Sequence, residues 1–117
     1  MCLEAAVELL IGHRVWLWRG DFRVVAVKFG HHVFSGQASA AVDFIAAVEA
    51  LEAGILPCSG GEGGVLRIAA SIAEGVPVDL REAVSGVDDV NVVLAARAVL
   101  HAAGHREACV TVVGTGR

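Results

Sequence analysis

The stretch 57-PCSGGEGGVLRIAASIAEG-75 sets Gly60, Gly61, Gly63 and Gly64 around Glu62, directly ahead of an apolar run. Glycines opening a helix can bring backbone N–H groups against a phosphate, at the positive end of the helix dipole. A phosphate-binding P-loop adds a lysine for the phosphates and a Ser or Thr for the metal, in the pattern GxxxxGK[ST]. Here the lysine and the GK[ST] are missing, and Glu62 would repel an anion. Ser59 and Glu62 have instead the spacing of a capping box, in which each side chain accepts from the other's backbone N–H. Val65, Ile68, Ala69, Ile72 and Ala73 then fall on the core-facing stripe of a helix. Capping does not account for the glycines, each of which costs a helix about 1 kcal/mol relative to Ala. Close approach of a neighbouring element would, as would an anion held at Ser59, Gly60, Gly61, Gly63 and Gly64. On capping alone, Gly61→Ala and Gly63→Ala should stabilise the fold.

Other candidates carry less. The end of the chain, 109-CVTVVGTGR-117, has the strand and first glycines of a dinucleotide-binding unit, without the third glycine, the following helix and the later acid that such a unit needs. His101 and His105 are four apart, but Gly104 between them should end any helix they share. A zinc site needs three or four converging ligands, and no spacing among His101, His105, Cys58 and Cys109 specifies one. Neither GxSxG nor HExxH occurs. Asp88 and Asp89 precede a helical run, where carboxylates cap and complement the dipole. No catalytic residue, metal or cofactor is assigned.

The most suggestive patch is 13-HRVWLWRGDFRVVAVKFGHHVFSG-36. Arg14, Trp16, Trp18 and Arg23 alternate so that in paired strands they share a face, continued by Phe29 and Phe34. Aromatics beside cations grip single-stranded nucleic acid, and Trp and Arg are also enriched at protein interfaces. The net charge of −4, split evenly between residues 1–60 and 61–117, opposes the phosphate term that dominates nucleic-acid affinity. A protein partner or a second copy is therefore favoured at Arg14, Trp16, Trp18, Arg23, Phe29 and Phe34.

These residues need elements to hold them. Leu3–Ile11 reads as a helix stopped by Gly12. Gly20-Asp21 and Gly30-His31 suit two-residue turns, giving a three-stranded meander that pairs Trp16 with Val25, Trp18 with Arg23, Val27 with Phe34 and Phe29 with His32. Both faces of that meander are apolar, so something must cover the second. Ser39 should cap a helix to about Ala53. Ser59 opens a helix ending at Gly75, Asp79 caps Leu80–Val84, and Asp88 or Asp89 caps a long helix to about Ala103. That last helix, with its small-residue stripe Asn91, Ala95, Ala98 and Ala102, reads as the central one. Ala108–Val113 reads as a closing strand. The expected class is α+β: a three- to four-stranded antiparallel sheet, the N-terminal meander plus a C-terminal strand, packed with about four helices.

The totals agree with one domain over 1–117. The chain is 56% hydrophobic and 19% charged, with a mean hydropathy of +0.66. No apolar run is long enough to span a membrane, and the opening residues MCLEAAVELLIGHR carry acids where a secretion signal needs bases. An odd set of three cysteines without CxxC points to reduced thiols in a cytoplasm. The function expected is a small non-enzymatic binding or assembly module, self-associating or binding a protein through the aromatic hairpin face. One rival is a nucleic-acid-binding regulator using that face or the helix-turn-helix-like residues 65–103. The other is a small anionic-ligand domain at 60–64.

Overall fold

In the computed structural model of the chain, residues 2–31, 38–105 and 107 are described. The first helix, α1, spans Cys2–His13 and buries Ala5, Ala6, Leu9, Leu10 and His13 along one stripe. Gly12 does not stop it. A Cβ there would lie 3.1 Å from Leu94 Cδ2, so the bare backbone lets a later helix pack close. Arg14 takes the left-handed conformation after the helix (φ 61°), and its N–H donates to Leu10 O at 3.2 Å.

The expected meander is the largest correction. Trp16–Trp18 form a 3-10 turn and Gly20–Ala26 form a helix, α2. The first hairpin is therefore not made. Burial decides this. Trp16 and Phe22 are both fully buried, with ring centroids 5.5 Å apart. Phe22 and Ala26 share the buried side of α2, whereas Val24 is 86% exposed. A strand would have put all three on one face. The strand preference of Val and aromatic residues is mostly a packing effect, and here packing favours the helical period.

The sheet that remains is one antiparallel ribbon, β1 (Val27–His31) against β2 (Ala38–Val42). Its register sets Val27 opposite Val42 and Phe29 opposite Ala40, in place of the expected partners Phe34 and His32. Ser39 lies in β2, four residues before Asp43. Asp43 caps the next helix, α3 (Phe44–Glu52), accepting from the Ala46 N–H at 3.0 Å. Ala108–Val113, expected as a closing strand, lies outside the described residues. Among those described, the expected three- to four-stranded sheet with about four helices gives way to six helices and one two-stranded ribbon.

The second half follows its caps. α4 runs Gly60–Glu74 from the Ser59–Glu62 capping box to a left-handed Gly75. Asp79 caps α5 (Leu80–Val84), and Asp88 caps α6 (Asp89–Ala102). The central helix, however, is α4. It packs against α1, α3, α5 and α6 and buries Gly63, Gly64, Val65, Leu66, Ile68, Ala69 and Ala70, more than one stripe. α6 turns Ala95, Ala98 and His101 inward and leaves Val90 and Val99 exposed. It lies antiparallel to α1: Gly12 meets Leu94 at one end, and Cys2 Sγ lies 3.9 Å from Ala102 O at the other. The buried residues from all six helices form one core. No described helix is long and apolar enough to cross a membrane.

Candidate functional site

The residues expected to share an aromatic face are dispersed. Trp16 is in the core, and its Nε1–H donates to Glu62 O at 2.9 Å. The guanidinium of Arg19 stacks 4.8 Å from the Trp16 ring centroid. It donates to Pro57 O at 2.8 Å and pairs with Asp21. This pairing holds the Asp21 carboxyl below its ordinary range and raises Arg19. This stack pins the 3-10 turn to the start of α4 and takes the Trp16 ring out of the exposed surface. Arg14 and Arg23 are exposed on either side of it. Trp18 is 59% exposed in the turn, and Phe29 is 76% exposed on β1, with α2 between them in the chain. Phe34 lies outside the described residues.

The ribbon builds a different surface. Alternate residues of a strand share a face, so Val27 and Phe29 are on one side with their cross-strand partners Val42 and Ala40. Val27 and Val42, at the base, are half-buried and pack against the core. One step along the same face, Phe29 and Ala40 are exposed. The apolar face thus starts inside the molecule and runs past the edge of the helical layer. Lys28, on the opposite side, reaches Asp43 at 3.2 Å. Asp43 is held low by the Ala46 N–H and by that lysine.

At the start of α4 both halves of the capping box are made. Ser59 Oγ accepts from the Glu62 N–H at 3.1 Å, and a Glu62 carboxylate oxygen accepts from the Ser59 N–H at 3.0 Å. A methyl on Gly64 would collide with the Ala83 carbonyl, and one on Gly61 with the Gly86 carbonyl. From the other side, a Cβ on Gly86 would lie 3.0 Å from Gly61 N. The close approach that explains Gly61 and Gly64 is therefore supplied by α5 and the loop after it. A Cβ on Gly60 would meet nothing within 4 Å among the described residues, and one on Gly63 would make only ordinary contact, with Cys58 Sγ at 3.4 Å. A groove of about 620 Å³ runs beside this junction, with Cys58, Ser59, Arg67, Asp79 and Glu82 on its walls. Arg67 is paired with Glu52 at 3.0 Å. Burial, with Glu62 nearby, pushes the Cys58 thiol up, away from the reactive thiolate.

Two histidines are buried at opposite ends of the α1–α6 pair. His13 lines a pocket of about 250 Å³ with Ser59, Glu62, Asp88 and Asn91. Its Nδ1 is buried and has no hydrogen-bond partner among the described residues. Burial lowers its pKa, against an opposing pull from Glu62 and Asp88. His101 has Glu4 at 2.8 Å from Nε2 and Glu8 at 3.7 Å from Nδ1. Sequence spacing sets His101 four residues from His105, across Gly104, and does not reveal this cluster. The legible part of the signal was Glu4 and Glu8, four apart on a helix; nothing in the order of residues says that α6 lies across them.

Comparison with known protein families, with curated proteins and with solved structures finds no match to the chain.

Proposed function

We propose that this chain is a small binding module that self-associates through the β1–β2 ribbon, with Phe29 as the anchor. The observation that carries this is the apolar ribbon face, which packs against the core at Val27 and Val42 and is 76% exposed at Phe29. A two-stranded ribbon is marginal by itself in water, and among the described residues its outer edges have no further strand. A second copy supplies what is missing. Antiparallel edges pair with their own two-fold copy, and that symmetry sets one Phe29 strip beside another on the same face of a closed dimer. Aromatic anchors of this kind carry much of the energy of small interfaces.

Light scattering on the purified chain and on Phe29→Ser tests this. The wild type should have the mass of a dimer. The variant should have the mass of a monomer with unchanged helical circular dichroism. A wild-type monomer at the highest soluble concentration, or a Phe29→Ser variant that stays dimeric, would overturn it.

A further inference from the structure

Glu4 and Glu8 are four residues apart on α1 and so face the same way. The antiparallel α6 brings His101 against both. We propose that Glu4, Glu8 and His101 form a binding site for a divalent transition-metal ion of the zinc class, joining the start of α1 to the end of α6. One donor atom from each residue lies within 4.8 Å of the other two. Zinc takes nitrogen and oxygen ligands at about 2.0–2.2 Å, which puts neighbouring donors roughly 3.4 Å apart in a tetrahedron. Glu4 lies at Nε2 of the ring and Glu8 at Nδ1, so closing that difference takes a rotation of one glutamate to the nitrogen that holds the ion.

The parts divide the work of a metal site. The His101 side chain is 8% exposed, so its ring is held between the helices before any ion arrives. The Glu4 and Glu8 side chains are 56% and 46% exposed, so an ion can reach their carboxylates from solvent. Two carboxylates and one imidazole make a borderline donor set. Magnesium and calcium prefer more oxygen donors than these residues offer, whereas imidazole suits zinc and its neighbours. Without metal, the contact of His101 Nε2 with Glu4 at 2.8 Å joins the two helices. With metal, the carboxylates neutralise the dication, and the imidazole binds it through a nitrogen lone pair of its neutral form.

Calorimetric titration of chelator-stripped protein with zinc chloride tests the site, beside Glu4→Gln/Glu8→Gln as a double variant. Both substitutions are at half-exposed side chains, and circular dichroism verifies that the helices persist. The wild type should bind one zinc per chain and melt at a higher temperature with zinc, but not with magnesium. The double variant should bind at least about tenfold more weakly, as losses around metal ligands commonly do. Cobalt in the wild type should give a spectrum without a thiolate band, which separates this site from any formed by Cys2, Cys58 and Cys109. No zinc binding by the wild type, a thiolate band, or equal affinity in the double variant would each overturn the proposal.

Discussion

The start of α4 and the β1–β2 ribbon treat similar residues in opposite ways. At α4, an aromatic ring, a cation and several glycines are used up by the fold. Trp16 is buried and hydrogen-bonded to Glu62, Arg19 covers its ring, and Gly61 and Gly64 receive backbone carbonyls from the neighbouring segment. At the ribbon, Phe29 projects from a strand whose partner opposite is only Ala40. Burial is therefore concentrated in the helices, while the ribbon carries an exposed aromatic ring.

The contrast is broken most directly by exchanging the roles of the two aromatics. Trp16→Ala should cost about 3–5 kcal/mol, the usual range for emptying a buried aromatic site, and denaturant unfolding measures it. Phe29→Ser should leave the intrinsic stability of the dissociated chain within about 0.5 kcal/mol, as exposed positions do. An equal loss for the two would mean that the ribbon is part of the core. Next in size is Gly64→Ala. Overpacking costs roughly 1–3 kcal/mol, and the obstacle here is a backbone carbonyl that cannot rotate away. Gly60→Ala, one turn earlier and facing open space, should instead gain up to about 1 kcal/mol. Thermal melts of the pair decide whether packing or capping governs the glycines. Ser59→Ala should lose about 1 kcal/mol with the cap.

The smallest effect concerns pH. His13 titrates below its ordinary range because burial disfavours its charge. The unfolded chain binds a proton at this residue near pH 6.5, where the folded chain does not. Stability from this group is therefore complete above pH 6.5 and declines as pH falls toward the depressed folded value, by at most about 1.4 kcal/mol per unit. Melting at pH 7.5 and 5.5 should show a smaller acid loss in His13→Leu than in the wild type. An identical loss would mean that His13 is not kept neutral by the fold.

Much of the helical half was legible in the residues. Ser59, Glu62 and Gly75 mark the ends of α4, and Asp79 and Asp88 open α5 and α6, because capping is chemistry between residues a few positions apart. Val65, Ile68 and Ala69 were readable as core for the same local reason. The aromatic segment was not legible. Its Val and Trp content suits a strand, yet Trp16 found a buried site against Phe22 and Glu62, and that contact spans 46 residues. The ribbon lay between these cases: the strand at Val27 was readable, but its partner was not, since Ala38–Val42 has little side-chain character to announce a strand. The His101 cluster was illegible because its carboxylates come from the other end of the chain.

The sequence by itself determined where α4, α5 and α6 begin and end, since caps, glycine stops and apolar periods act within a turn or two of backbone. Only the tertiary structure decided that α4 is the centre, that Trp16 is core while Phe29 is surface, and that His101 meets Glu4 and Glu8. Those outcomes depend on which helix lies against which. That is fixed by the shared burial of the whole chain, and no local spacing encodes it.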